Sequence, residues 1–439
     1  MSPDACWATS SLGDIADFVN GDRGKNYPSS SDYVGSGIPF VSASDLAGRR
    51  IDLARASFIT QEAYDRLGNG KIQDGDILFC LRGSLGKIGL AKGIHKGAIA
   101  SSLVIIRPKQ SISRDFLYYI LSGSTGKSIA RELDNGSVQG NLSVRELKQV
   151  EIDIPGYQEQ MAIAHVLGTL DDKIELNRTT NESLEAMAKA LFKSWFVDFD
   201  PVRAKAEGRP AGLPDEISDL FPDSFEDSEL GEIPRGWEVA EISKILSLSR
   251  SAIDPSAAPD ELFDHYSIPA FDAGKYPAVE LGSSIKSQKF LVGVDDLLVS
   301  KLNPSTPRVW IPFDSLDRRS ICSTEFLVCQ ASTDAGRAFA YCLASGDSVI
   351  EAMTGLAGGT SNSHQRIRPG DFLSLFSCIG SQAVRSAFSD IVEPLLGRTL
   401  ALTTEIRLLS STRDVLLPKL ISGELRISDT EKLLERVGL

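Results

Sequence analysis

Two short stretches of this chain carry residue types that grip a polyanion. The first is Arg82-Gly83-Ser84-Leu85-Gly86-Lys87-Ile88-Gly89-Leu90-Ala91-Lys92-Gly93, three cations spaced among four glycines. Such a flexible loop can carry Arg82, Lys87 and Lys92 to phosphate oxygens; it reads equally as a Gly-rich hairpin with solvated lysines. It is not a P-loop. Only two residues separate Gly83 from Gly86-Lys87 where that motif needs four, and Ile88 stands where a Ser or Thr would hold magnesium. The second stretch, residues 136–143, sets Ser137, Gln139 and Asn141 beside glycines. Small amides can approach base edges, where Asn and Gln pair with adenine; the same residues also suit a plain turn. A counterpart at 358–366 supplies Thr360, Asn362, His364, Gln365 and Arg366. Arg23 and Lys25 in a Gly-flanked loop, and Lys286, Lys289, Lys301, Asn303, Arg308, Arg318 and Arg319, complete the candidate nucleic-acid contacts.

Other chemistry is not encoded in any recognisable motif. The six cysteines stand at 6, 80, 322, 329, 342 and 378, with no Cys-x-x-Cys, and histidines are few. This argues against a zinc site or a disulfide framework and for a reducing compartment. The nearest approach to the Asn-Pro-Pro-aromatic tetrad of an adenine methyltransferase is Asn303-Pro304-Ser305-Thr306, which lacks the second proline and the aromatic. No Walker motif or catalytic-triad spacing is visible. The first residues lack a basic start followed by an apolar run, and no apolar run reaches membrane length, so a soluble, cytoplasmic protein is expected, with no membrane partner. The net charge of −13 is unevenly placed. Residues 198–232 hold 11 acids and 3 bases, whereas residues 20–109 hold 13 bases and 8 acids. Local sign matters more than the total for phosphate contacts, and only the first half has a basic surplus; residues 233–380 hold 13 bases against 17 acids.

The elements that must position these loops are two long helices. From Ile163, steps of four and three land on Leu167, Leu170, Ile174, Asn177, Asn181, Leu184, Ala188, Leu191 and Trp195. This is a heptad seam with two asparagines at its middle. The same walk from Val392 gives Leu395, Thr399, Leu402, Ile406, Leu409, Arg413, Leu416 and Leu420, at a constant offset of 225. A rod of ~55 Å needs a partner. Chain order makes the two rods antiparallel if their seams bury each other, with Asn177 and Asn181 opposite Leu402 and Ile406; a polar seam residue restricts register at a cost in stability. The asparagines read equally as solvent-facing. Pro418 should kink or end the second rod.

Upstream of both rods the chain repeats itself. Asp74-Gly75-Asp76-Ile77-Leu78-Phe79 matches Val294-Asp295-Asp296-Leu297-Leu298-Val299, and Ile38-Pro39-Phe40 echoes Ile268-Pro269-Ala270-Phe271. A repeat decides architecture before any local feature does. The expected fold is therefore two tandem α/β (α+β) domains joined by two long antiparallel coiled-coil helices, a pseudo-two-fold internal repeat. The expected boundaries are 1–157 and 233–380 for the globular domains, 158–199 and 381–427 for the helices, 200–232 for an acidic Pro/Gly-rich connector, and 428–439 for a tail. Ile38–Val41 reads as an edge strand, because proline is tolerated there. Residues 72–81, 101–107, 296–301 and 323–330 read as strands, and 115–121 and 126–133 as helices.

Residue for residue, the chain resembles a known family. Gln158-Glu159-Gln160, Ile163-Ala164, Leu167, Leu170-Asp171-Asp172-Lys173-Ile174, Leu176-Asn177, Asn181, Leu184-Glu185 and Leu191-Phe192-Lys193-Ser194-Trp195-Phe196-Val197-Asp198-Phe199 are similar to the central conserved helix of type I restriction–modification specificity subunits. Leu416-Leu417-Pro418-Lys419-Leu420-Ile421-Ser422-Gly423-Glu424-Leu425 resembles the C-terminal signature of that family. Residues 266–272 and 38–41 resemble the openings of its target-recognition domains, which otherwise vary strongly.

The resemblance implies a non-catalytic subunit in which each recognition domain reads one half of a bipartite, asymmetric site on double-stranded DNA. It implies two methyltransferase subunits docked on the helices, with S-adenosylmethionine bound by those partners and no cofactor bound by this chain, and it allows restriction–translocase subunits to join. It also turns the charged outer face (Asp171, Asp172, Lys173, Glu175, Arg178, Glu182 and Glu185), otherwise a plain solvated face, into partner surface. A coiled-coil dimerisation scaffold with no DNA role, and a nuclease or transferase hidden in one globular half, stay open as other readings.

Overall fold

The computed structural model describes residues 7–132, 141–314, 317–359, 365–425 and 427. The expected tail, 428–439, lies outside them. The chain divides into two compact units, one taking the residues through Glu175 and from Leu408 onward, the other Leu176–Arg407. Each is a mixed body of helix and strand.

In the first unit a four-stranded antiparallel sheet runs in the order Ala16–Asn20, Leu103–Pro108, Ile77–Cys80, Ile88–Leu90. Leu103 to Ile106 and Ile77 to Cys80 are buried without alternation, so both faces of the central strands are covered. The second unit has the same sheet, in the order Leu246–Ser249, Phe326–Ala331, Asp296–Ser300, Val309–Trp310. The duplication extends to the register: Leu103 faces Cys80 as Phe326 faces Ser300, and Pro108 faces Ala16 as Ala331 faces Leu246. Each unit also has a clasp, in which a strand that precedes its main sheet pairs antiparallel with the strand just before a long helix. Ala8–Ser11 pairs with Glu151–Ile154, and Glu238–Glu241 with Phe376–Ile379.

Two details differ from expectation. Ile38–Val41 is interior, between Ala98–Ile99 and Ser57–Ile59. Pro39 is accommodated because pairing with Ala98–Ile99 begins only at Phe40, leaving no ladder bond that needs the missing N–H. The Ile268-Pro269 echo is not an equivalent strand: Ile268–Asp272 is a helix capped by Ser267. The true counterpart of Ile38–Val41 is Leu262–Tyr266, the strand that runs parallel to Arg319–Cys322.

The long helices are Tyr157–Phe196 and Gln382–Ile421, 40 residues each, or about 60 Å. The second ends one turn beyond Pro418 and short of the expected residue 427, where Gly423 takes φ +72°. Ile163, Leu167, Leu170, Ile174, Asn177, Ala188 and Trp195 are buried, and Asn181, Leu184 and Leu191 half-buried. On the other helix Val392, Leu402, Leu409, Leu416 and Leu420 are buried, and Leu395, Thr399, Ile406 and Arg413 half-buried. Within the second unit Asn181 Nδ2 donates to Thr403 Oγ1 (3.1 Å), and the Phe192 and Phe388 rings lie 5.9 Å apart. Residue numbers thus rise along one helix as they fall along its neighbour. Asn181 meets a hydroxyl rather than the expected apolar Leu402 or Ile406. Asn177 Nδ2 is buried with no partner among the described residues.

The acidic connector, which reads from sequence as either an ordered crossing loop or a linker, is ordered. It contains the helices Asp200–Ala206 and Asp215–Ser218 and the hairpin Phe225–Ser228 with Gly231–Pro234. Phe199, Val202 and Phe221 enter the core of the second unit. Most of the acids face outward, and the apolar residues spaced among them fold the segment down. Trp195, Phe196, Phe221, Trp237, Phe339 and Phe388 form one aromatic cluster there, with neighbouring rings 4.9–6.3 Å apart.

Candidate nucleic-acid interface

The two candidate stretches of the first half meet in space. Beyond Cys80 the chain runs on to Leu81, whose carbonyl accepts from Leu142 N (2.9 Å), and Arg82 bridges to Asn141. The Arg82 Nε then donates to Asn141 Oδ1 at 3.0 Å. Gly83 and Gly86, at φ +82° and +74°, make the turn that follows; a side chain at either would be strained. Arg82 is exposed and Asn141 half-buried.

The second half repeats this meeting. Leu302 bridges to Arg366, and Ile367 N donates to Lys301 O (3.2 Å). Asn303 N donates to Gln365 O (2.8 Å), and Gln365 N to Asn303 Oδ1 (3.1 Å). Asn303 adopts φ +48°, the left-handed region that Asn tolerates best among residues with a side chain. Lys301 and Gln365 are half-buried in the same place. Ser137, Gln139, Thr360, Asn362 and His364 lie outside the described residues.

The remaining candidates separate by what holds their charge. Arg23, Lys25 and Lys92 are exposed, without an acidic side-chain partner among the described residues. Lys87 is not free: its Nζ donates to Ala43 O at 2.8 Å. Arg308 grips Asp272 with two bonds, 2.7 and 2.9 Å, and Arg366 grips Glu325 with two at 2.9 Å. Arg318 is held by the buried Asp264 and Arg319 by Glu261. Lys286 donates to Ser283 O, and Lys289 is 7% exposed with its Nζ on Ser287. Burial pushes the Lys289 ammonium below its ordinary value. Among the candidates, Arg308, Arg318, Arg319 and Arg366 of the second unit are thus paired with its own acids, whereas Arg23, Lys25 and Lys92 of the first unit are exposed without such a partner.

The charged face of the first long helix is also tied inward. Asp171, 8% exposed, accepts from Tyr119 Oη and from Arg413, each at 2.7 Å. Arg49 bonds Asp115 (2.7 Å) and Asp172 (2.8 Å), Arg50 bonds Glu175 (2.6 Å), and Lys275 bonds Glu185 (2.6 Å). These acids tie each unit's own body to its helix. Burial opposes the charge on Arg413, but the bonds to Asp171 and Asp414 outweigh it and raise its pKa above the ordinary arginine value. Burial beside Asp171 raises the Tyr119 hydroxyl likewise. Sequence reasoning missed Arg49, Arg50 and Tyr119; the one visible signal was the adjacent acid pair Asp171-Asp172, with Asp171 next to the apolar seam residue Leu170. Among the described residues no His, Cys, Asp and Glu group could hold a metal ion, and the described cysteines are free and buried. No helix among them is long and apolar enough to cross a membrane.

Residues 5–186 match the family model of the type I restriction modification DNA specificity domain. Over 96% of its length the chain is 26% identical to the type I restriction enzyme MjaIX specificity subunit of Methanocaldococcus jannaschii, covering 94% of that protein. It is likewise 26% identical to the HindI specificity subunit of Haemophilus influenzae, covering 95% of this chain and 99% of that one. In fold it is similar to the crystal structure of the type I restriction–modification S subunit of M. genitalium, with a TM-score of 0.58, 14% identity, and 96% and 97% of the two chains covered. Residues 5–186 are thus similar to the type I restriction modification DNA specificity domain, and the chain along nearly its whole length is similar to type I specificity subunits.

Proposed function

We infer that this chain is the DNA-reading subunit of a type I restriction–modification complex and does no chemistry of its own. The observation that carries the reading is the duplicated domain, in which the same two loops meet beyond the end of the same inner strand in each half but bear different side chains. Two unlike readers on one chain suit a bipartite, asymmetric site on double-stranded DNA. The long helices act as an antiparallel coiled coil that fixes the spacing of the half-sites; a rod of about 60 Å can hold two readers more than one DNA turn of ~34–36 Å apart. Two methyltransferase subunits dock on this scaffold, bring S-adenosylmethionine with them, and methylate adenine in the cytoplasm; restriction–translocase subunits complete the assembly.

The test is to co-express the chain with its methyltransferase subunits in a host lacking adenine methylation and map N6-methyladenine across the genome. A single split motif with unlike halves is expected, and it should vanish when this chain is omitted. Methylation that persists without the chain, or that follows no split motif, refutes the reading.

A further inference from the structure

We propose that the duplicated loop junction is the base-reading head of each domain, with the Arg82 fork taking the acceptor edge of a guanine in one half-site and the Gln365 amide taking an adenine in the other. This rests on the specificity reading above and assigns its contacts.

The two junctions are equivalent by register, not merely by appearance. Ile77–Cys80 and Asp296–Ser300 hold the same place in their sheets, and each is followed within two residues by a backbone bridge to the segment before a short helix. Arg82 corresponds to Leu302 and Asn141 to Arg366. In this frame the side chains differ in what they can offer. Arg82 is exposed and holds Asn141 Oδ1 through Nε, and its two terminal nitrogens have no partner among the described residues. They are donors only, as is the Asn141 Nδ2, which has no partner among the described residues. Guanine is the base that presents two adjacent acceptors, N7 and O6, to such a fork.

The second junction cannot do the same. Leu302 replaces the arginine, and the Arg366 fork is closed by Glu325, with Nε and one terminal nitrogen both at 2.9 Å. Gln365 is fixed through its main chain by Asn303 on both sides, N–H and C=O. Its side-chain amide has no partner among the described residues. A carboxamide offers one donor and one acceptor side by side, the complement of adenine N7 and N6. The Glu325 carboxylate keeps Arg366 from competing for a guanine, so the two heads select different bases from one backbone plan.

The experiment uses the full complex on a plasmid library of random DNA, with methylated adenines read by single-molecule sequencing. R82A and R82K should each lose preference for one guanine in a single half-site by roughly 5- to 150-fold, because lysine cannot form the fork. Q365A and Q365E should relax one adenine in the other half-site. K92A, an exposed cation of the first unit, should lower methylation uniformly and change no base. Guanine preference kept intact in R82K overturns the assignment for the first domain, whatever becomes of R82A, and adenine preference kept in Q365E does so for the second. Relaxation in the wrong half-site, or at another base, also overturns it. A wild-type complex with no split motif removes the specificity reading itself, which separates that failure from this one.

Discussion

Replacing Arg413 with methionine should loosen the first unit selectively, and the amount can be worked from the geometry. Asp171 is 8% exposed and accepts two bonds of 2.7 Å, from Tyr119 and Arg413. R413M keeps most of the aliphatic stem and removes the charge, leaving a buried carboxylate with only a phenol to answer it. Breaking a buried pair from one side costs about 3–5 kcal/mol. The Arg413 side chain is 28% exposed, so water takes up part of the deficit, and about 2–3 kcal/mol is expected. D171N should cost less, about 1 kcal/mol, since Arg413 still reaches Asp414. The double variant should then be less damaged than the sum of its parts by about 1–2 kcal/mol. Hydrogen–deuterium exchange measures this locally, with peptides covering 114–122 and 163–174 as reporters and 337–344 as the internal reference. R398M, an exposed position on the same helix, should change exchange by under about 0.5 kcal/mol. If R413M matches R398M, or if the two substitutions at 171 and 413 simply add, the ion pair is not what anchors this helix.

Four further outcomes follow from the same structure. W195A should cost about 3–5 kcal/mol, because Trp195 is 1% exposed in the aromatic cluster; a thermal midpoint within a degree of wild type would rule that out. Burial pushes the Cys322, Cys342 and Cys378 thiols from 9.0 up to about 12. Their folded values exceed the unfolded ones, so the stability they lend is complete below about pH 9 and is lost as pH climbs toward 12. Denaturant titrations from pH 8 to 11 should show that decline, and iodoacetamide at pH 8 should spare Cys322 and Cys342 until the chain unfolds. Removing one heptad from each long helix should change the gap in the methylated motif and keep its bases; altered bases across an unchanged gap would contradict the spacer role. Exchanging residues 20–150 for those of a relative should alter one half-site alone, and a change in both would show that the halves do not read independently.

What could be read from sequence followed the range of the interactions involved. The long helices were legible because Leu167, Leu170, Ile174 and their counterparts repeat a local period over ten turns. The buried stretches 77–80 and 103–106 were legible as unbroken apolar runs. The Ile268-Pro269 echo misled because three matching residues do not fix a register; the hydrogen-bond pairing places the true equivalent, Leu262–Tyr266, just upstream. In the acidic segment 198–232 the net charge hides a few well-spaced aromatics, Phe199, Phe221 and Phe225, so its helices and hairpin were not legible. At the candidate interface, Arg82 and Asn141 were each visible, but their meeting across 59 residues was not. Nor could sequence tell that Glu325 and Asp272 would close on Arg366 and Arg308, since that depends on which strands lie side by side.

The clasps that close the two domains bear on how such a gene can change. Ser11 lies opposite Glu151, and Glu241 opposite Phe376. Each recognition body therefore begins and finishes at neighbouring rungs of one short ladder, like a pendant on a ring. A DNA segment copied between those two rungs brings a self-closing insert and leaves both helices untouched. On the proposed function, two crossovers in one gene would then be enough to give a lineage a new address on its genome, with the stem left as it was.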